Sequence, residues 1–369
     1  MGKILVLAIS VLSFNVNLFA EETLQIPKGL QDVQLSGLYY LSYQASQSHS
    51  FDANAGHWVT DDDNQFNIKR AYFTLKKKIN RFISSRITLD AHQDDTGDLK
   101  VRIKYVYADI GFPEFAFITR PHLEFGLVHT PWLDFEEHVN YYRMQDTMFT
   151  ERVGIFNSGD FGLTVLGYFA GEMHEDYQKT VNAQYPGRYG SFAFGLYNGG
   201  GYHAAENNQD KILQERITIR PLPDIVPGLQ LSELFIIGKG NGSRSLDDIE
   251  DWQTLAAMLS YEHRYITVTG QMVTGKGNKS GSWSDEADYR GYSAFVEGKL
   301  TENWRIIGRY DHFDPDINAG DDKSSLFIAG IGYDFGHHNI LLLDYQVKTY
   351  EEESHEDEPR LQLTLQVNF

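Results

Sequence analysis

The chain has 369 residues, a formal net charge of −19 and no cysteine, with a mean hydropathy of −0.39. Disulfides, thiolate metal sites and thiol redox chemistry are excluded, and so is a bundle of membrane helices; strong acidity argues against a nucleic-acid partner. The length suits two or three soluble domains or one large barrel.

The one long apolar run is N-terminal. Met1 to Ala20 has Lys3, then an apolar stretch from Ile4 to Phe14, then Leu18-Phe19-Ala20 before Glu21. It reads as a secretory signal over 1–20 with cleavage near Ala20, because the run falls short of the ~20 residues that a spanning helix needs. A polar lead follows over 21–32. From 33 to 369 the pattern has period two nearly throughout, with no amphipathic helix of three turns. Sixteen strands are expected, at 33–44, 66–77, 82–92, 99–110, 121–130, 159–169, 188–198, 211–220, 228–240, 252–262, 264–275, 288–300, 304–312, 325–335, 339–350 and 360–369.

The connections alternate in length. Short ones are Ile79-Asn80-Arg81, Glu262-His263, Thr301-Glu302-Asn303 and Gly336-His337-His338. Long ones are 45–65, 131–158, 199–210, 241–251, 276–287, 313–324 and 351–359, and several are acidic, as at Asp61-Asp62-Asp63, Asp247 to Asp251 and Glu351 to Glu358. Long extracellular loops on one rim and short periplasmic turns on the other is the plan of an outer-membrane barrel. Connections 111–120 and 170–187 fall on the short-turn side but are too long for it.

The strand faces favour a membrane. In 66–77, Ala71, Phe73 and Leu75 oppose Arg70, Tyr72, Thr74 and Lys76; in 99–110, Val101, Ile103, Tyr105 and Tyr107 oppose Lys100, Arg102 and Lys104. The terminal run alternates Leu361, Leu363, Leu365, Val367 and Phe369 with Gln362, Thr364, Gln366 and Asn368. A soluble sandwich turns its apolar face inward, whereas a large barrel turns it toward lipid and its charges toward an aqueous lumen. An open edge cannot span lipid, so the sheet must close with an even strand count. The expected fold is therefore an all-β, sixteen-stranded antiparallel transmembrane barrel.

Two groups of residues are candidates for function. The first is a pore-lining wall of Arg70, Arg86, Asp90, Lys100, Arg102, Lys104, Arg216, Arg305 and Arg309. A three-residue turn at 79–81 would set Arg70 opposite Asp90, Tyr72 opposite Thr88 and Thr74 opposite Arg86. Such a wall either guides anions through a low-dielectric passage or pairs charges across strands to hold register. The second is the segment 131–158, too rich in aromatics to sit in water. Folded into the barrel it would place Asp134, Glu136, Glu137, His138 and Arg143 at a constriction. Enzymatic constellations are thin: the 13 histidines are scattered, and the Gly-Lys-Gly fragment near 275–277 lacks a strand-to-helix context.

Several segments resemble the phosphate-selective porin O and P family of outer-membrane channels. They are Phe66 to Lys76 (Phe-Asn-Ile-Lys-Arg-Ala-Tyr-Phe-Thr-Leu-Lys), Leu123 to Trp132 (Leu-Glu-Phe-Gly-Leu-Val-His-Thr-Pro-Trp), Phe149-Thr150-Glu151-Arg152, Asp160 to Gly167 and Tyr189 to Gly199. Nearly the whole mature chain is covered, by short and mostly structural motifs. The resemblance implies a sixteen-stranded, usually trimeric, passive pore with its third loop folded into the lumen. His129 stands where the family usually has lysine, so phosphate is not read as the permeant.

The expectation is a porin in a Gram-negative outer membrane, among lipid and lipopolysaccharide. It would pass small hydrophilic solutes or ions, with no cofactor because the driving force is concentration. The alternatives are a barrel sheath that houses a separate redox carrier and a barrel enzyme. The position of 131–158 discriminates among them.

Overall fold

The computed structural model describes residues 32–369 except 53–56, 95, 243–249, 284–285 and 353. The expected signal segment 1–20, nearly all of the expected lead 21–32, and Asp247, Asp248, Ile249 and Glu353 of the acidic runs lie outside the described residues.

Sixteen strands form one closed antiparallel barrel in sequence order. They are β1 (Val33–Asp52), β2 (His57–Lys78), β3 (Ile83–Gln93), β4 (Leu99–Gly111), β5 (Ile118–His129), β6 (Gly159–Phe169), β7 (Gly190–Tyr197) and β8 (Ile212–Ile219), followed by β9 (Leu229–Lys239), β10 (Asp251–His263), β11 (Ile266–Lys276), β12 (Asp288–Lys299), β13 (Trp304–Asp314), β14 (Ser324–Asp334), β15 (Ile340–Tyr350) and β16 (Glu358–Asn368). Closure runs from Leu38↔Asn368 to Ser46↔Arg360 between β1 and β16, which removes both edges and satisfies their backbone groups. The seam is tight. Phe369 exchanges both backbone hydrogen bonds with Gly37, at 2.8 and 3.0 Å, and a Cβ on residue 37 would lie 2.3 Å from its ring.

The alternation does what the composition of the strands requires. Along β10, Thr254, Met258 and Ser260 are buried inside, while Leu255 and Leu259 face outward, each 52% exposed. Phe73, Ile103 and Leu363 also face outward, whereas Gln362 and Thr364 are fully buried in the lumen. This is an apolar belt with a lumen behind it. Exposed aromatic rings at the short-turn ends, among them Phe112, Tyr265, Trp304 and Phe335, supply an interfacial girdle.

The structure departs from the sequence reading in five places. The loop expected at 45–65 is largely strand, because β1 and β2 keep pairing to Asp52↔His57; polar residues such as Gln47 and Asp62, bonded at 2.8 Å, can form a ladder in water as well as a loop. The turn expected at Glu262-His263 is at Arg264-Tyr265. The β2–β3 register is offset by two, with Tyr72↔Asp90, Thr74↔Thr88 and Lys76↔Arg86. That offset preserves every face, and Arg70 still reaches Asp90 diagonally at 3.0 Å. Tyr105 and Tyr107 point inward, because a bulge between Thr88 and Leu89 turns both Lys104 and Tyr105 to the lumen. Connection 111–120 shrinks to 112–117, since β5 starts at Ile118 and bulges at Arg120 and Pro121, Arg120 at φ 48°.

The lumen is not uniformly polar. Leu234, Ile236, Trp252, Met258 and Val273 point into it from β9, β10 and β11 and join one buried cluster with residues of 131–158.

Candidate pore constriction

The interior is shaped by the segment between β5 and β6. β5 leaves the wall at His129, and the two ends of the segment are clasped: Thr130 donates its hydroxyl to the Asn157 carbonyl at 2.8 Å and its amide to Ser158 at 3.1 Å. Pro131 then opens helix α1 (Pro131–Val139) at a position where a missing N–H costs nothing. One face of α1 carries Trp132, Leu133, Phe135 and Val139, all buried in the apolar half of the lumen. The other carries Asp134, Glu137 and His138, which border a cavity. A single turn, α2 (Phe149–Arg152), follows before the chain rejoins β6.

The wall grips this segment from many sides. Arg216 on β8 donates to the Pro131 carbonyl at 3.0 Å and lies 4.7 Å from the Phe135 ring centre. Arg309 on β13 donates to the Thr147 carbonyl at 3.2 Å, and Arg152 pairs with Asp311. Arg360 on β16 meets Asp146 at 2.9 Å. Lys69 on β2 donates to the carbonyls of Met144 and Gln145 at 2.9 and 2.8 Å. Partners on opposite sides of a closed barrel place residues 131–158 inside it.

A cavity of about 570 Å³ remains between the polar face of the segment and the wall of β1 to β4. The segment contributes Asp134, Glu137, His138 and Arg143, and the wall contributes Tyr40, Tyr72, Lys76, Arg86, Lys104 and Tyr105. A recess of about 640 Å³ also exists over Ala257 and Gly270, but those residues face outward on the apolar belt, away from the lumen charges.

The wall candidates divide into three roles. Arg70 and Arg102 both bind Asp90, at 3.0 and 3.1 Å. Lys104 is 4% exposed and has no carboxylate within ion-pair distance among the described residues; its ammonium lies 4.5 Å from the Tyr72 ring centre and 5.4 Å from that of Tyr105. Arg86 bonds to Thr88 and to His129, each at 3.0 Å. Of these five, Arg86 and Lys104 line the cavity, and Asp90 is fully buried between the two arginines that bind it. Lys100 stands instead at the long-loop rim, paired with Asp94 and largely exposed. Arg216 and Arg309 are buried under the segment they hold. Arg305 is at the short-turn rim, 3.3 Å from Asp334.

The segment's own charges are also engaged. Arg143 bridges Glu137 and Glu151, reaching the second at 3.1 Å. Burial works against the Asp134 carboxylate, but His129, His138 and the Tyr185 hydroxyl hold its carboxyl below the usual range. Glu136 is turned away from the cavity onto Gln271, and burial pushes its carboxyl up to about 7 although Arg309 pulls the other way.

Sequence reasoning missed Lys69, because strict alternation after Arg70 puts it outside. A register shift between Tyr40 and Leu41 turns it in. It also missed Asn182 and Tyr185, which come from a connection on the other rim and carry no periodic signal.

No protein-family model matches the chain, and no curated protein matches its sequence. Solved structures do match its fold. An anion-selective porin from Comamonas acidovorans is 10% identical, with 91% of this chain and 99% of that one covered at a TM-score of 0.59. A loop L8 deletion mutant of OmpT, an outer-membrane protein of Vibrio cholerae, is 11% identical over 92% of this chain and 100% of that one, at 0.57. The outer-membrane channel DcaP of Acinetobacter baumannii is 13% identical over 91% and 97%, at 0.56. At such identities the likeness is one of fold, and the fold is the sixteen-stranded barrel of Gram-negative outer-membrane porins.

Proposed function

We propose that the protein is a passive diffusion channel of the outer membrane for small hydrophilic solutes or ions. The observation that carries this reading is the clamped segment 131–158, which occupies the apolar half of the lumen and leaves a charged passage along β1 to β4. Solutes cross between Asp134, Glu137, His138 and Arg143 on one side and Arg70, Arg86, Arg102 and Lys104 on the other. Close walls of low dielectric make these charges effective on a solute that has shed part of its water.

The passage favours anions. Lys76, Arg86 and Lys104 have no carboxylate within ion-pair distance among the described residues. The carboxylates that face them are already held: Asp134 by Tyr185 and two histidines, Glu137 by Arg143. The resemblance to the phosphate-selective O and P family supports the folded third loop and assigns no particular anion.

The long-loop rim faces the cell exterior among lipopolysaccharide, and the short-turn rim faces the periplasm. A homotrimer is in keeping with the resemblance and with the trimer form of a fold neighbour, OmpT of Vibrio cholerae. The sheath alternative is disfavoured, because residues 131–158 pack on the inner wall of β8 to β11 and take up lumen that a carrier would need. No catalytic step is proposed. Liposomes carrying the purified protein are expected to swell in isosmotic solutions of small sugars and salts. Swelling no faster than in empty liposomes rejects the channel reading.

A further inference from the structure

The short-turn rim has one connection unlike the others. Residues 170–189 join β6 to β7, whose paired ends at Tyr168↔Ser191 are neighbours that a turn of a few residues could link. The connection does not lie flat on the rim. It contains a short helix, α3 (Glu175–Thr180), and buries Met173, Tyr177 and Asn182. The buried Arg220 guanidinium, just past the short-turn end of β8, lies 4.9 Å from the Tyr177 ring centre.

Its far side meets α1. The Asn182 side-chain amide donates to the His138 carbonyl at 2.8 Å and to the Glu262 carboxylate at 2.6 Å, and its oxygen accepts from the Tyr141 hydroxyl at 3.0 Å. One side chain thus joins the end of α1, Tyr141 in the irregular stretch that follows it, and the wall at β10. Carbonyls in the last turn of a helix lack helical partners, and Asn182 supplies one. Three residues on, Tyr185 donates to Asp134, and its ring stands edge-on to Phe135 with centres 5.0 Å apart. Between these anchors, Ala183 and Gln184 are exposed and border the same cavity as Lys104 and Arg143.

We infer that residues 170–189 are a second pore-forming element, which enters from the rim opposite the ends of 131–158, and that Asn182 and Tyr185 are positioning residues for α1. The inference rests on the channel reading. The passage is then bounded by two inserts tied to each other, and Ala183 and Gln184 set its width at the short-turn mouth. Without the Asn182 amide, the His138 carbonyl and Glu262 each lose a donor, and the end of α1 is freed to fluctuate in the ion path.

The absence of native cysteine allows a direct test. Single variants Ala183→Cys and Gln184→Cys are treated, in planar bilayers, with a charged methanethiosulfonate reagent from the short-turn side. Thr301→Cys, in a turn that does not border the cavity, is the control. A bulky charged adduct in a narrow passage is expected to lower the single-channel current about twofold or more at 183 and 184 and to leave the control unchanged. Unchanged current at both positions, with the adducts verified by mass spectrometry, overturns the pore-forming role. Asn182→Asp and Tyr185→Phe test positioning, and each is expected to raise open-channel noise and brief closures while the barrel still folds. Noise equal to wild type in both overturns that role. If wild-type protein itself does not conduct, the channel reading fails; if it conducts but the variants behave as controls, only this inference does.

Discussion

Tyr142 donates its hydroxyl to the Glu297 carboxylate at 2.8 Å, across 155 positions of sequence. The bond carries the pore segment to the inner wall of β12, near its short-turn end, where Glu297 also accepts from Thr267 at 3.2 Å. A hydrogen bond to a charged group stabilises by roughly 1.5–3 kcal/mol. Tyr142→Phe keeps the ring and loses the bond. It is expected to leave the barrel folded, to loosen the segment by about that amount, and to speed cleavage within 131–158 by protease in detergent. Cleavage at the wild-type rate would show that this anchor is dispensable.

Lys104 and Lys100 separate two accounts of selectivity. Lys104 is buried beside the cavity, and Lys100 sits on the rim against Asp94. Exposed charges are screened over a Debye length of about 8 Å in physiological salt, and charges between close walls are screened less. Lys104→Gln is therefore expected to shift the reversal potential toward cations in a salt gradient, and Lys100→Gln to shift it much less. Equal shifts would mean that the rim field, and not the narrow passage, sets ion preference.

Glu136 gives the pore segment a pH dependence of definite sign. Its carboxyl is pushed up by burial to about 7, from an ordinary value of 4.5. Between those values the folded chain holds a proton that the unfolded chain has released, so stability falls as pH rises through this window. The full effect is on the order of 3 kcal/mol. Wild type is expected to lose more thermal stability than Glu136→Gln between pH 5 and pH 8, measured as the midpoint of unfolding in detergent. Parallel curves would show that Glu136 is already ionised in the fold.

The seam between β1 and β16 depends on a missing side chain. Gly37 leaves room for the terminal ring, and a Cβ there would meet it at 2.3 Å. Gly37→Val is expected to lower the fraction of chains that show the faster, heat-sensitive electrophoretic mobility of a closed barrel. Phe369→Ala, which removes the ring, is expected to reduce the effect of Gly37→Val. Additive losses would place the fault elsewhere in the strand.

The barrel was legible because the membrane imposes one rule on every strand. Leu361, Leu363 and Leu365 against Gln362, Thr364 and Gln366 state that rule in ten residues, and the outward face of β10 repeats it. The rule fails where a strand gains a residue. Alternation misplaces Tyr105 and gives no sign of Lys69, because bulges are set by pairing with a neighbour, which one strand does not record. It also fails inside β9, where Leu234 and Ile236 look like lipid-facing residues on the wrong face until Trp132 and Phe135 are seen to cover them. The burial of 131–158 is legible for a simple reason: a run such as Pro131-Trp132-Leu133-Asp134-Phe135 needs to leave water, and the lumen is the nearest place for it. Alternation turns Arg216 and Arg309 inward, but that they hold residues 131–158 depends on three-dimensional packing. Connection 170–189 has no periodicity to read, and its anchors Asn182 and Tyr185 acquire their meaning only beside α1.

If residues 131–158 narrow an aqueous path through the barrel, their removal must widen it. The most direct measurement is single-channel recording of the purified protein in a planar bilayer, beside a variant in which residues 132–156 are replaced by a short Gly-Ser linker. Wild type is expected to give discrete, reproducible current steps, and the variant larger ones. Absence of steps from folded wild-type protein, or steps no larger in the variant, would mean that residues 131–158 do not narrow a conducting path.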